Sequence, residues 1–532
     1  MKSSVKAAII TLIVANILFY IWLPPINLTS MNFWTFVFVI YYVFIISKNF
    51  SSLFDTKVRT QSLRIDKNFI LYLLPFAMFF LIFVINFICS PVFNSRSYSR
   101  RITIDETADF TEDVTEVNFN SIPLLDKESS QKLGDRVMGQ LPELVSQFYV
   151  SNLYTQINYN EDIIRVTPLE YAGFFKYLSN RKDGIKGYIT VNSVDGDANL
   201  IKLDNGVKYT TSAYFFENLS RHIRYEYPTL IFGDESFEID NEGNPYWIVP
   251  IMGYTGISIK TEIKGVLIVN AVTGEITKYK VEEVPTWVDH VYSASLVIEQ
   301  VDDWGKYRNG YFNTLFSQKN VVATTDGYNY IALNDDIYLY TGITSIEADE
   351  ANIGFILTNL RTKETKFYSV PGAEEYSAMA SAEGQVQQMK YTATFPLLIN
   401  LDGRPTYLIS LKDNAGLVKM YAFVDVEDYQ KVSVSDATIG IEKASQVYLE
   451  SNFKEIQSDK LLTKEIVISS LTLMNIDGTS YYYIIDENKL KYKVSIKTNE
   501  EIIPFLKKGD KIKVWFKQEK VLTEIVKVES NI

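Results

Sequence analysis

Gly265-Val-Leu-Ile-Val-Asn270 runs on through Thr273 and Glu275 to Tyr279, and 89 positions later Gly354-Phe-Ile-Leu-Thr-Asn359 runs on through Thr362 and Glu364 to Tyr368. Five of the fifteen positions are identical, and the three residues after each glycine exchange apolar for apolar. An apolar strand, a polar turn and a second strand ending in Tyr read as a β-hairpin, and the segment after each copy has helical character. Related strands open the copies, as Asp240-Asn-Glu-Gly-Asn-Pro-Tyr246-Trp and Asp335-Asp-Ile-Tyr338-Leu-Tyr. A third, looser copy starts at Asp402-Gly-Arg-Pro-Thr-Tyr407 and runs through Leu417 to Val426. One hairpin with one helix cannot bury its own apolar face, so repetition predicts stacked α+β modules whose cores join edge to edge. The expected modules are 236–330, 331–396 and 397–460.

Outward from the repeats, residues 118–235 read as a first α+β unit. Glu143 to Tyr154 can form a helix, and Pro168 to Ser179 another, with Tyr171, Phe174, Phe175 and Leu178 at helical spacing. Strands are expected at Gly187 to Asn192, Ala198 to Leu203 and Val207 to Thr210, with turns at Asp195-Gly196-Asp197 and Asp204-Asn205-Gly206. Residues 92–117, with Arg96, Arg100 and Arg101 followed by Asp105, Glu106, Asp109, Glu112, Asp113 and Glu116, read as a solvated, charged tether.

Before the tether stand three apolar runs, Ala7 to Leu23, Met31 to Ser47 and Phe69 to Cys89, of 17, 17 and 21 residues and free of charge. A helix of roughly 20 residues, about 17 at the short end, crosses the hydrocarbon core. Residues 1–91 are therefore expected to be a three-span anchor, and the membrane bilayer is the expected partner. Pro75 in the third run is tolerable in such a helix. Lys2 and Lys6 precede the first run, and Lys48, Lys57, Arg59, Arg64 and Lys67 lie between the second and third. Basic residues in short loops stay cytoplasmic, which puts residues 92–532 outside. Arg96, Arg100 and Arg101 count against this but are outnumbered. A cleaved signal peptide fits less well, since the first run exceeds the usual apolar length and Pro24-Pro25-Ile26-Asn27 offers no small-x-small site.

The chain carries a net charge of −12, and residues 1–91 hold 7 basic and 2 acidic groups, which leaves −17 on the remainder. Such a surface does not suit a long stretch of DNA or RNA, nor an anionic membrane face. The single cysteine, Cys89, excludes an intrachain disulfide, so an outward domain must rest on its own core, a habit of Gram-positive envelopes.

In the tail, residues 464–532, strands can be drawn at Glu465 to Met474, Ser480 to Ile485, Leu490 to Ile496, Lys511 to Phe516 and Thr523 to Val528. A short helix from Glu500 to Leu506 falls between the third and fourth. This layout resembles the OB-fold, a small β-barrel. Many OB-folds bind oligonucleotides or sugars through aromatics beside basic residues, which makes Tyr482, Lys513 and Trp515 the candidate face. The tail's 12 basic and 10 acidic groups nearly cancel, and solvated lysines on a barrel core explain them as well.

Tyr246-Trp-Ile-Val-Pro followed by Gly265 to Glu275 resembles the PepSY module of bacterial envelope proteins. In that family a β-hairpin with an acidic or amide residue, Thr-Gly and Glu packs on a helix, and some members are thought to modulate peptidases. Asn270 stands where Asp is common. The run from Leu133-Gly-Asp-Arg136 through Arg221-His-Ile-Arg-Tyr-Glu-Tyr-Pro228 to Ser381-Ala-Glu-Gly-Gln-Val386 is similar to a group of uncharacterised bacterial membrane proteins, which implies location more than activity.

A site has to be argued from residues and not from fold. Cys–His catalysis is excluded, because the sole thiol sits at the end of an apolar run. His222 and His290 are the only histidines and show no His-Glu-x-x-His spacing. Neither a Gly-x-Ser-x-Gly nor a phosphate-binding Gly-x-x-x-x-Gly-Lys-Ser/Thr pattern occurs. No catalytic, cofactor or metal residue is assigned and no cofactor is expected. Arg221, His222 and Arg224 are the candidate anion or ligand cluster, against the plainer reading of His222 as a hydrogen-bonded residue at a helix end. His290 reads as part of a helix start, with Asp289 as companion. The Asp-Gly pairs read as turns, not calcium loops. The resulting expectation is a non-catalytic assembly or regulatory protein of the envelope. The alternatives are an envelope hydrolase, either a Ser-Lys peptidase or a carboxylate-based wall hydrolase, and a subunit of a transport complex.

Overall fold

The computed structural model describes residues 3–53, 67–119, 122–333, 335–345, 351–453, 462–476, 479–499, 502–517 and 523–530. The chain divides into two compact units, Met1–Gln446 and Val447–Ile532.

The first unit opens with helices Ser3–Trp22, Met31–Leu53 and Lys67–Cys89. Pro24 and Pro25 stop the first, since neither can donate a helical N–H. Val5–Trp22 and Met31–Lys48 are each long and apolar enough to cross a membrane, and Leu73–Cys89 is so when taken together with Pro91–Tyr98, from which it is bent by 48°. Pro91 sets that bend by starting a new helix.

The α+β expectation holds at the level of a mixed fold, and one strand pattern recurs four times. Each time a helix precedes two short strands, and both pair with the same long strand, one on each half; a second long strand and a final strand complete an antiparallel sheet. The leading helices are Lys127–Gly139, Leu219–Glu226, Ala294–Tyr307 and Glu375–Gln385. The paired long strands are Asp162–Tyr171 with Ile185–Asn192, Pro245–Tyr254 with Thr261–Asn270, Asp336–Ser345 with Ala351–Asn359, and Arg404–Lys412 with Val418–Asp425. The helix therefore leads each module, and the unit expected at 118–235 carries the same pattern as the repeats. Its two expected helices differ: Asp162–Tyr171 is a strand through Pro168, and helix begins only at Phe174–Asn180. Helical spacing loses there because Thr155–Tyr159 folds back on Asp162–Val166 as a tight hairpin. Over the expected helix at Glu143 to Tyr154, Pro142–Val145 gives way to strand Phe148–Val150.

The repeated residues are turn-makers. Asn270 Oδ1 accepts from the Val272 and Thr273 amides at 3.0 and 2.9 Å, and Asn359 Oδ1 accepts from the Arg361 and Thr362 amides, both at 2.9 Å. Thr273 and Thr362 each receive the amide two residues on at 3.3 Å. A Cβ on Gly265 would stand 2.6 Å from Tyr279 O, and one on Gly354 would stand 2.2 Å from Tyr368 O, so only glycine lets the strands close.

Alternation along the second module's strands buries both faces of its sheet. Trp247, Val249, Ile251, Leu267 and Val269 join the core of the first module, while Ile248, Val266 and Ile268 join that of the third.

Residues 92–117 are not a solvated tether. Arg101, Ile102, Phe110 and Val114 are buried, Ile104–Asp105 pairs in parallel with Thr365–Lys366, and Lys366 meets Asp113 at 3.0 Å. The mixed charges that signal solvation in sequence find partners on the third module.

The second unit holds a closed barrel of five strands, Leu462–Ile476, Thr479–Asp486, Lys491–Ser495, Lys511–Lys517 and Thr523–Ser530. The first strand closes it by pairing through Leu462–Val467 with the fourth and through Ile468–Ile476 with the second. The third and fifth strands are parallel. Between the third and fourth, the turns Ile496–Thr498 and Ile503–Phe505 flank residues 500–501, which lie outside the described residues, as does the Asp477-Gly478 turn.

Candidate functional site

Arg221, His222 and Arg224 share helix Leu219–Glu226, capped by Asn218 Oδ1 accepting from the Arg221 amide at 3.2 Å. They do not converge on a cleft. His222 Nε2 donates to Gly274 O at 2.7 Å, with its ring 4.4 Å from that of Tyr209, so it serves the Asn270 turn. Arg221 lies with its guanidinium 4.2 Å over the Tyr20 ring and donates to Tyr20 O at 3.3 Å and Phe215 O at 2.6 Å. Arg224 is buried and donates to Leu23 O at 3.0 Å and Leu230 O at 2.5 Å. Burial with no carboxylate partner pushes its guanidinium down to about 10.

What these arginines meet is the carboxyl end of the first apolar helix, a set of neutral carbonyl acceptors. The last carbonyls of a helix lack intrahelical donors and carry the negative end of its dipole; Tyr20 supplies one of them, and Leu23, the first residue past the helix, supplies the carbonyl beside them. Neighbouring contacts extend the joint. Ile26 N donates to Pro228 O at 2.7 Å, Ser258 N to Thr29 O at 2.8 Å, and Asn86 exchanges two hydrogen bonds with Ile257 at 2.8 and 3.0 Å.

The barrel face divides as well. Tyr482 packs against the barrel core, whereas Lys513 and Lys527 reach over the Trp515 ring at 4.9 and 4.8 Å on the outer side. Period-2 alternation puts Tyr482 and Trp515 on opposite faces, so the three candidates do not form one surface.

Three polar groupings escaped the sequence reading. Arg101 donates to Glu299 at 2.6 Å, to Asp303 and to Thr261 O at 2.7 Å. Burial, opposed by Arg101, pushes the Asp303 carboxyl up to about 6. In the second grouping, Glu238 accepts from the amides of Asp289 and His290 at 2.8 and 3.2 Å, and His290 Nε2 donates to Gln156 O at 2.7 Å. Burial pushes the Glu238 and Asp289 carboxyls up, Asp289 further through the charge of Glu238. The third is buried Arg165, which among the described residues reaches only the Gln156 amide oxygen, at 2.7 Å from Nη2, with no acceptor there for Nη1. It lines a cavity of about 360 Å³ with Tyr154, Tyr328, Tyr330, Asp126 and Lys127, where the chemistry on offer is donation to an anion. The signal for Arg165 in the sequence was a charge set between apolar neighbours, Ile163, Ile164 and Val166.

For nucleophilic chemistry, Lys260 Nζ donates to Ser97 Oγ at 2.6 Å, in an open cleft with Arg96 and Arg100. Ser97 is exposed, so water competes for any group brought to it. Among the described residues, no group of three or more His, Cys, Asp or Glu is arranged to hold a metal ion.

No family model and no curated protein matches the chain. Among solved structures it is similar to a Trypanosoma rangeli sialidase complex at 10% identity and a TM-score of 0.15, over 71% of this chain and 53% of that one. It is also similar to an ACO/RPE65 chimera at 10% identity and a TM-score of 0.13, over 71% and 64%. The chain thus spans less than two thirds of either, and similarities of this size carry no argument.

Proposed function

We propose that this chain is a three-span membrane protein of the bacterial envelope whose modules stand outside the cell and act without catalysis, as an assembly or regulatory platform. The observation that carries the reading is the joint between the first interhelical loop and the modules. Leu23, Ile26 and Thr29 bond to Arg224, Pro228 and Ser258, so this loop lies on the side of the modules. Asn86, near the end of the third helix, meets the same region through Ile257. Spans arranged in this way leave the amino terminus and the segment joining the second and third helices on the opposite side, where Lys2, Lys6, Lys57, Arg59 and Arg64 favour the cytoplasm.

Two finer assignments belong to this reading. The modules are PepSY-like, supported by helix-led sheets with the Asn-x-x-Thr turn. The barrel is OB-like, supported by its strand order and by the parallel pairing of its third and fifth strands.

Labelling with a membrane-impermeant maleimide tests the topology in a Cys89→Ser background. Asp402→Cys is expected to label on intact cells and Lys57→Cys only after lysis; the reverse order would refute it. Crosslinking from membranes should then recover a specific envelope partner. The second reading, a Ser-Lys hydrolase, draws on the Ser97–Lys260 contact alone. Cleavage of wall peptides by the full chain, lost in Ser97→Ala, would replace the first reading with this one.

A further inference from the structure

Two groups of large aromatic side chains project into solvent from the module stack, and both adjoin the ends of the apolar helices. In the first, Phe175 is 79% exposed and Phe216 is 55% exposed. The Phe216 ring lies edge-on to Tyr20 at 6.0 Å and to Tyr225 at 5.2 Å, and Tyr225 lies 5.8 Å from Phe19. Phe19 and Tyr20 belong to the last turn of the first apolar helix. In the second group, Phe316 is 80% exposed and Phe312 is 63% exposed. They stack at 6.4 Å and continue through Tyr311, Tyr307 and Tyr98 to the helix that follows Cys89.

Local charge sets these surfaces apart from the rest of an acidic chain. Phe174 to Lys186 carries Lys176, Lys182 and Lys186 against Asp183, its Arg181 being paired with Glu217 at 3.1 Å, and Trp304 to Thr325 carries Lys319 with no acidic residue, its Lys306 and Arg308 being paired with Asp302 and Glu106 at 2.8 and 3.8 Å. Arg96 and Arg100 lie between the second group and the third apolar helix. The first group is also built under strain: Phe215 holds φ at +52°, a region that a bulky side chain rarely adopts. Arg221, bonded to Phe215 O, holds this turn with Phe216 outward.

We infer that both aromatic groups lie in the outer leaflet of the bilayer beside the anchor, their rings at the headgroup level and the flanking Lys and Arg on anionic lipid. The modules are then held flat against the membrane, and not merely leashed to it. This inference rests on the membrane-spanning reading given above. Tyr20, Tyr225, Tyr307 and Tyr311 in these groups have the polar edge that favours that depth, and exposed Phe side chains with basic residues beside them are what an anionic interface selects. The three arginines on the outer side, which run against the cytoplasmic preference of basic residues, are then accounted for: Arg101 is consumed by the fold, and Arg96 and Arg100 face lipid phosphate.

The test uses the full chain with Cys89→Ser, reconstituted into vesicles of equal parts phosphatidylglycerol and phosphatidylcholine. Nitroxide labels are placed singly at Phe175→Cys, Phe316→Cys, Ile13→Cys and Asp402→Cys, and collision with oxygen and with a water-soluble nickel chelate is measured. The oxygen-to-nickel ratio at 175 and 316 is expected to exceed that at 402 several-fold while staying below that at 13. Ratios at 175 and 316 equal to that at 402, with 13 still in lipid, would overturn the inference and leave the anchor intact. An aqueous ratio at 13 would instead overturn the anchor. Spin–spin broadening at 175 or 316 that disappears on dilution with unlabelled chain would assign the surface to a second copy and also overturn it. As an independent measure, Phe175→Trp and Phe316→Trp should be quenched by lipids brominated high on their chains, and absence of quenching at both counts against the inference.

Discussion

Replacing Arg101 by Met should loosen the third module in a pH-dependent way. The Arg101 side chain is 0% exposed and bonds Glu299, Asp303 and the Thr261 carbonyl. Removing one member of a buried ionic set costs about 3–5 kcal/mol, chiefly because the partner charge stays behind. The partners differ in their escape: the Glu299 side chain is 53% exposed and can turn to water, whereas that of Asp303 is 14% exposed and cannot. Asp303 already stands at about 6, raised by burial and restrained by Arg101. A carboxyl raised above its unfolded value near 4 supports the native state below that value and loses the support as pH rises through its folded value. Without Arg101 that folded value climbs further, so the extra loss falls above pH 6, at about 1.4 kcal/mol per unit of climb. Arg101→Met should therefore cost about 3 kcal/mol at pH 8 and about 1 kcal/mol at pH 5, where Asp303 is protonated in both proteins. Hydrogen exchange of helix Ala294–Tyr307, corrected for intrinsic rate at each pH, reads this directly. A second change, Asp303→Asn, should recover most of the loss at pH 8. An equal loss at both pH values, or no recovery, would refute the electrostatic account.

Asp289→Asn removes one of two raised, buried carboxyls, so by the same sign it should stabilise the chain at pH 8 and by less at pH 4, read by thermal melting. Gly354→Ala drives a methyl onto Tyr368 O and should cost about 2–3 kcal/mol, while Gly384→Ala, with nothing within 4 Å of the added carbon, should be neutral or stabilising. Arg224→Leu strips the Leu23 and Leu230 carbonyls of their donor and should cost about 3 kcal/mol, seen as faster exchange in residues 219–232. Lys363 occupies a left-handed turn position, φ +68°, where two sister turns have glycine; Lys363→Gly should exceed Lys363→Ala in stability by about 1 kcal/mol in melting experiments.

What the sequence made legible were features with local chemistry. Apolar runs without charge mark helices whatever surrounds them, and the Asn-x-x-Thr turn declares itself through bonds made within a few residues. The first module was readable by the same token. Gly187-Tyr-Ile-Thr-Val-Asn192 has the spacing of the repeats at Gly265 and Gly354, and a Cβ on Gly187 would stand 2.6 Å from Ile201 O, fourteen residues on, as at those two glycines. Helical spacing around Phe174 masked that signal. The joint made by Arg221 and Arg224 was hidden for another reason. That Arg221 and Arg224 seek acceptors is evident from their type, but the acceptors are backbone carbonyls about 200 residues away, which no spacing rule reaches. Arg101 likewise reads as solvated until its partners at Glu299 and Asp303 are brought to it.

The way the repeats diverge indicates what joins them. Asn192, Asn270 and Asn359 each accept, through their carbonyls, the amide four residues on at 3.0, 2.9 and 2.8 Å, from Gly196, Gly274 and Lys363. The first two donors carry no side chain and their turns close freely. The third accepts the left-handed cost of a lysine, and that lysine donates to the Arg101 carbonyl at 2.6 Å and approaches Glu262 at 3.7 Å. Glu262 belongs to the second module's sheet, Arg101 to the segment leaving the apolar helices and Lys363 to the third module. A residue unsuited to its own turn thus ties three parts of the chain at one point. Glycine would close this turn more easily, but only a long cationic side chain at 363 reaches both the Arg101 carbonyl and Glu262, so the strain of one turn is offset by a junction between the third module, the second and the segment leaving the apolar helices.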